Sequence, residues 1–305
     1  VAANREMDGL IRDGVPVTYK PEAGPQVGQT VTERLKVIDF DAHDPRTGRN
    51  HYLAVSQLWV RGEHGYRRPD LLLYVNGLPL VFIELKNSNV KLRAAFDDNL
   101  TTYKAEIPQL FTANALCLLS NGIETRLGSI TAQWEHFFTW LRVDDEKEQL
   151  DRPAIAAQGL SVERAVLGLL TPERLLDYVE NFCVFYRETQ KVIAQNHQFI
   201  GVNNAFEQFR HRRELGGKLG VFWHTQGSGK SFSMVFYTRK IFRKLTGNFT
   251  FVVVTDRDDL DGQIYRNFLH TGVVAPKDDV RPKGSAQLRE MLGKAEANAD
   301  HWRAL

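Results

Sequence analysis

Residues 67–87 read RRPDLLLYVNGLPLVFIELKN, two apolar runs joined at Asn76 and Gly77, with Asp70 at the entrance and Glu84 and Lys86 at the exit. Apolar runs flanking an Asn-Gly pair signal a β-hairpin, and a core hairpin has little reason to carry three charges. Side chains alternate along a strand, which places Glu84 and Lys86 in one row with Leu80 and Phe82. Whether Asp70 joins them depends on register. If Asn76 and Gly77 form a tight two-residue turn, position 70 pairs with 83 and Asp70 faces away. One extra residue, as a three-residue loop with Gly77 left-handed or as a bulge near Pro79, brings 70 opposite 84. Pro79 cannot donate a ladder bond, so an irregularity there is expected on separate grounds.

Two carboxylates converging in an apolar sheet repel each other and lose hydration unless a cation lies between them. Oxygen ligands from Asp70 and Glu84, with the backbone carbonyl of Leu85 in reach, suit Mg²⁺, which keeps several waters. One such water could attack a phosphodiester while Lys86 holds it or stabilises the developing charge. The plain alternative is an ordinary Glu-Lys pair at the solvent edge of a strand, since E-x-K is a common fragment.

A chain of 305 residues is about twice a typical domain, so two domains are expected. No apolar run approaches the roughly 20 residues of a membrane span. The N-terminus, VAANREMDG, has neither a basic nor an apolar leader region and lacks an initiator Met, which points to a trimmed, unexported, cytoplasmic protein with no membrane partner. Cys117 and Cys183 sit in apolar surroundings far apart and read as buried thiols in a reducing compartment. The net charge of +2 excludes steering onto nucleic acid by bulk charge. Local basic clusters occur around Arg210, Arg212 and Arg213 and around Arg239, Lys240, Arg243 and Lys244, each equally consistent with a solvated helix face.

Along the chain, residues 1–130 read as a mixed sheet with flanking helices. Leu92, Ala95, Phe96, Leu100, Tyr103 and Ile107 recur at helical spacing before a stop at Pro108, and ALCLLSNG follows as a buried strand. The acidic stretch from Val143 to Gln158 resembles a connection between domains, and Ser161 to Arg213 reads as almost wholly helical. A second α/β unit then opens, with LGVFWHT and FTFVVVTD as strands around a glycine turn and a helix.

That turn, in WHTQGSGKSFSM, matches most of a phosphate-binding loop. Thr225, Gln226, Gly227, Ser228, Gly229, Lys230 and Ser231 would wrap an ATP phosphate chain. Lys230 would reach the β and γ phosphates and Ser231 would ligate the Mg²⁺ that travels with ATP. His224 replaces the first consensus glycine. Asp256, followed by Arg257, does not read as a Walker B acid, so the expected lobe is incomplete: it binds ATP and hydrolyses it poorly.

The P-D, apolar run and E-L-K arrangement at Pro69, Asp70, Glu84 and Lys86 resembles the PD-(D/E)xK nuclease core. More narrowly, RPDLLLYVNGLPLVFIELKN, SNGIETRLGS, WHTQGSGKSFSM and VVVTDRDDLDGQ, in that order, resemble the restriction subunit of type I restriction-modification enzymes. The resemblance implies an endonuclease domain over residues 1–165. A helical connector and the first part of a RecA-like superfamily 2 motor would occupy 166–305, truncated before Walker B. It further implies Mg²⁺-dependent cleavage of double-stranded DNA, ATP-driven translocation, and partnership with modification (methyltransferase) and specificity subunits. In that family a Gln-x-x-x-Tyr helix follows the lysine. Here Tyr103 matches, with Asn99 in place of the glutamine as a supporting pair. Gln198, in QNHQFIGVNNAF, falls where such motors place an adenine-reading glutamine. The rival expectations are a repair-type helicase-nuclease and a nucleotide-gated DNA-binding module whose nuclease has decayed.

Overall fold

The computed structural model describes residues 1–25, 27–277 and 280–297. The end of the expected motor segment, 298–305, therefore lies outside the described residues. Helix α1 (Ala2–Asp13) precedes a strand pair, β1 (Val15–Tyr19) and β2 (Val31–Leu35). Next come β3 (Tyr52–Ser56), a short ribbon of β4 (Val60–Gly62) and β5 (Gly65–Arg67), and the opening hairpin, β6 (Leu71–Val75) and β7 (Leu78–Leu85). A π-helical turn at Ala95–Leu100 runs into α2 (Thr101–Glu106), followed by β8 (Leu116–Ser120), β9 (Thr125–Gly128) and β10 (Phe138–Thr139). Among the described residues the largest sheet has six strands in the order β10-β9-β8-β7-β6-β3. It is mixed, because β7 and β8 run parallel across the intervening helix while the other neighbours are antiparallel.

Why the helix covers this sheet follows from its apolar stripe. Leu92, Ala95, Phe96, Leu100 and Ile107, the positions at helical spacing, pack against Leu72, Phe82, Cys117 and Leu119 of the sheet. Each fully buried side chain of this size contributes about 1.5–3 kcal/mol. Pro108 opens a short 3-10 turn, so α2 stops at Glu106 as expected. Lys191 is buried, and its ammonium donates to the Asn114 carbonyl at 2.7 Å and to Asn4 Oδ1 at 3.2 Å, with Asp8 at 3.4 Å. Asn4 also donates to the carbonyls of Phe111 and Asn114 at 2.8 and 2.9 Å. A buried ammonium is tolerated only when ringed by such acceptors, and the ring pins α1 to the start of β8.

The hairpin settles the register question. Asn76 and Gly77 have φ of 50° and 80°, the two left-handed residues of a tight turn, and Val75 pairs with Leu78. Further along, Leu73 pairs with Val81 while Tyr74 pairs with Pro79, so Leu80 is an extra residue with no partner on β6. Its carbonyl is taken instead by the Ala115 N–H at 2.7 Å. Of the two routes considered, the bulge beside Pro79 is realised, and the three-residue loop is not.

The chain forms two compact units, 1–183 with 189–196, and 184–188 with 197–305. The first runs past residue 165 and takes in α3 (Arg152–Ala157), α4 (Ser161–Ala165) and α5 (Pro172–Asn181). The acidic stretch, expected as a connection between domains, is fastened within this unit by ion pairs from Arg164 to Glu148 and from Arg174 to Asp144. The expected continuous helicity of 161–213 is also corrected. Strands β11 (Cys183–Tyr186) and β12 (Gln190–Ile193) interrupt it, with Arg187 and Glu188 left-handed between them. The aromatic and β-branched run FCVFY favours an extended chain.

In the second unit are α6 (Asn196–Arg210, which begins at the boundary), α7 (Lys230–Lys244), α8 (Asp258–His270) and α9 (Ser285–Ala297). The segments LGVFWHT and FTFVVVTD, expected as strands, form no ladder among the described residues. Val221 is 93% exposed and Val254 87% exposed. A buried parallel strand needs neighbours on both sides, and no described element stands beside either segment in that role.

Asn76 holds its left-handed turn position with three hydrogen bonds: it accepts from the His51 N–H at 2.7 Å and donates to the Val37 carbonyl at 2.8 Å and to Asn50 Oδ1 at 2.9 Å. Asn76→Ala is expected to destabilise the first unit by about 1–3 kcal/mol. Urea unfolding should show a lower midpoint with an unchanged slope.

Candidate active site

With Leu71 paired to Ile83, the next pair outward is Asp70 with Glu84, and directly opposed residues share a face. The Asp70 carboxylate accepts the Leu85 N–H at 2.8 Å. Glu84 is 2% exposed, its Oε1 lies 3.3 Å from Lys86 Nζ, and its Oε2 is shut off from solvent without a hydrogen bond. Burial pushes the Glu84 carboxyl up to about 7, the negative Asp70 adds to the rise, and Lys86 opposes it. Asp70, Glu84 and Lys86 are therefore brought together as the sequence suggests.

The helix face over this point carries Tyr103, whose ring meets Phe82 edge-on at 5.9 Å between centroids. Its hydroxyl is pushed up mainly by burial and also by Glu84 and Asp70, while a hydrogen bond from Asn99 and the charge of Arg67 pull the other way. Asn99 and Tyr103 thus lie together beside the carboxylates. Sequence reading missed Arg67, which pairs with Glu106 on the same side; its only signal was adjacency to Pro69 and Asp70.

A metal fits this arrangement in one specific way. Among the described residues no group of three or more His, Cys, Asp or Glu side chains is set to hold an ion. The site offers two carboxylates and the buried, unsatisfied Glu84 Oε2, and further ligands would have to be backbone oxygen, such as that of Leu85, and water. Hard, water-retaining divalent cations accept such a set.

In the second unit, Gly227 and Gly229 take φ of 79° and 77°, and α7 begins at Lys230. Lys230 Nζ folds back onto the carbonyls of His224 and Thr225 at 2.8 and 2.9 Å. Phosphate oxygens would take the place of those carbonyls. Thr225 and Gln226 are exposed, Ser228 is half-buried, and Ser231 occupies the first turn of α7, where helix N–H groups and the dipole favour an anion. Gln198 is buried and donates to the Gly229 carbonyl at 2.9 Å. It lies against the glycine-rich loop. His197, missed in the sequence, meets the Ser228 carbonyl at 2.9 Å. The basic clusters are partly spent locally: Arg210 pairs with Glu207, and Lys240 is buried with its ammonium 2.6 Å from Asn203 Oδ1.

Fold and sites thus define a mixed-sheet domain with an Asp-Glu-Lys cluster, in a chain that also carries a glycine-rich loop at the start of a helix. Residues 1–136 match the family described as the type I restriction enzyme R protein N terminus, and residues 197–300 match the SWI2/SNF2 ATPase family. The chain is 39% identical over 97% of its length to the type I restriction enzyme HindI endonuclease subunit of Haemophilus influenzae. It is 31% identical over 93% of its length to a putative type I restriction enzyme MjaIXP endonuclease subunit of Methanocaldococcus jannaschii. The chain belongs to the type I restriction enzyme endonuclease subunit family, and it spans 28% of the length of each of these two relatives. No described helix is long and apolar enough to cross a membrane.

The raised Glu84 carboxyl sets two expected pH dependences. Between about 4.5, its ordinary value, and about 7, the folded chain keeps a proton that the unfolded chain has released, so without metal stability should fall as pH rises through this window and then level. Any divalent cation held by Glu84 has to displace that proton, so the affinity of such a site for Mg²⁺ should tighten up to about pH 7 and then plateau. Urea unfolding in EDTA and calorimetric Mg²⁺ titration check both, and Glu84→Gln should remove both slopes.

Proposed function

We propose that this chain is the nuclease region and the beginning of the motor region of a type I restriction endonuclease. In this reading it cleaves double-stranded DNA in the cytoplasm, with Mg²⁺ at Asp70, Glu84 and the Leu85 carbonyl. The observation that carries the proposal is the convergence of Asp70 on a buried, unsatisfied Glu84 with Lys86 at 3.3 Å. The family supports it. The functional division falls near residue 165, with the motor following.

Mg²⁺, when bound, supplies Lewis acidity and a lowered water pKa. Asp70 and Glu84 fix the place where that charge sits. Lys86 orients the attacking water, whose oxygen forms the new bond to phosphorus as the bond to the leaving strand oxygen breaks, and its ammonium stabilises the charge on the phosphoryl oxygens. The Tyr103 hydroxyl, held by Asn99, positions the phosphate flank. In the motor region, Thr225 to Ser231 bind the ATP phosphates, with Lys230 on the β and γ groups and Ser231 on the accompanying Mg²⁺. Gln198 serves the nucleotide site through adenine contact and through its bond to the loop. The subunits that complete the assembly are a methyltransferase and a specificity subunit.

The test uses the full-length subunit assembled with those partners on unmethylated plasmid. Asp70→Asn, Glu84→Gln and Lys86→Ala are each expected to lower cleavage by at least about a hundredfold while ATP turnover persists. Lys230→Ala should abolish both. Cutting that survives Glu84→Gln would show a decayed site, and failure to assemble with either partner would favour a repair-type helicase-nuclease.

A further inference from the structure

The ribbon formed by β4 and β5 stands immediately before Asp70 and has two unlike faces. Arg61 pairs with Tyr66 and Val60 with Arg67, and the same register continued by one residue sets Trp59 across from Arg68, on the face of Arg61 and Tyr66. Opposed residues share a face, so these four side chains lie on one side of the ribbon, and all four are exposed. Trp59 is 62% exposed and Tyr66 56%. Arg68 Cζ lies 5.1 Å from the Trp59 ring centre, and the two aromatic rings meet edge-on at 6.4 Å.

The opposite face is fastened to α2 and the core. Arg67 pairs with Glu106, Val60 packs on the core, and a Cβ at Gly62 would come within 2.2 Å of the Glu106 carbonyl. The Arg61 carbonyl accepts from Gln109 Nε2 at 2.8 Å. Both ends of the ribbon converge on the candidate metal ligand: Arg68 leads through Pro69 into Asp70, and the Gln57 N–H donates to the Asp70 carbonyl at 2.9 Å. The exposed face is therefore held at a set position beside the carboxylates, and it does not drift as a loose loop would.

We infer that this face of the ribbon binds an unpaired stretch of the DNA strand next to the bond to be cut, with Trp59 and Tyr66 stacking bases and Arg61 and Arg68 neutralising phosphates. The inference deepens the nuclease reading and rests on it. Arginines interleaved with exposed aromatic rings are complementary to a polyanion carrying flat bases, and ring faces can stack only on bases that have left the duplex. A chain with a net charge of +2 needs such a local patch to hold DNA at its reacting centre.

The test measures binding of fluorescein-labelled oligo-dT, and of its duplex with oligo-dA, to the 305-residue chain in EDTA. The single strand is expected to bind more tightly than the duplex and to quench tryptophan fluorescence, with the quenching lost in Trp59→Phe. Trp59→Ala and Tyr66→Ala should each weaken single-strand binding about tenfold, while Trp59→Phe and Tyr66→Phe retain most of it. Arg61→Ala and Arg68→Ala should each flatten the slope of log affinity on log salt by about 0.7. Circular dichroism confirms that each variant is folded. Single-strand binding that is absent, that is weaker than duplex binding, or that is unaltered in the folded alanine variants overturns the inference. The nuclease reading fails separately, if cutting by the assembled enzyme survives Glu84→Gln.

Discussion

Leu80 is one residue more than the opposite strand can accommodate, and the chemistry at the end of the sheet depends on that surplus. The Asn76–Gly77 turn is tight, and a regular ladder from it would set Asp70 across from Ile83. The bulge shifts the register by one, so Asp70 comes opposite Glu84. Such a shift survives because the freed backbone is not left orphaned: Ala115 donates to the Leu80 carbonyl as β8 joins the sheet beside β7. Pro79, lacking an N–H, gives up no ladder donor at the irregularity.

Two buried charges of the first unit, Lys191 and Glu84, are handled differently. Lys191, on β12 outside that sheet, is ringed by acceptors from α1 and from the residues leading into β8, which ties α1 to that segment. Glu84 has one cationic neighbour and one oxygen with none. A folded chain that leaves a carboxylate oxygen dry and unsatisfied gives up stability at that point. The contrast separates a buried ammonium ringed by acceptors from a buried carboxylate that keeps an unsatisfied oxygen.

Several features were legible because they are local. The hairpin follows from Asn-Gly between apolar runs, the helix face from apolar spacing between Leu92 and Ile107, the helix stop from Pro108, and a glycine turn before a helix from Gly227, Gly229 and Lys230. Others were not. Between the two possible sites for the extra residue, the choice depends on Ala115 supplying a donor. The acidic stretch was read as a connection, because its carboxylates gave no sign that Arg164 and Arg174 would meet them. The strands at Cys183–Tyr186 and Gln190–Ile193 were lost in a helical reading, since a short aromatic run is ambiguous between the two periods. LGVFWHT and FTFVVVTD have strand composition but no ladder, because composition cannot supply a neighbouring strand.

Residue chemistry alone placed an aspartate, a glutamate and a lysine on one hairpin and a glycine-rich turn before a helix. Those facts follow from backbone sterics and side-chain period, which act over a few residues. Convergence was decided elsewhere: by the Leu80 carbonyl turning to Ala115, by the π-helical turn and α2 bringing Asn99 and Tyr103 beside Glu84 and Asp70, and by Glu106 and Gln109 fixing the β4–β5 ribbon beside Asp70. Hydrogen-bond satisfaction and packing between segments far apart in the chain set these positions, and no local pattern encodes them.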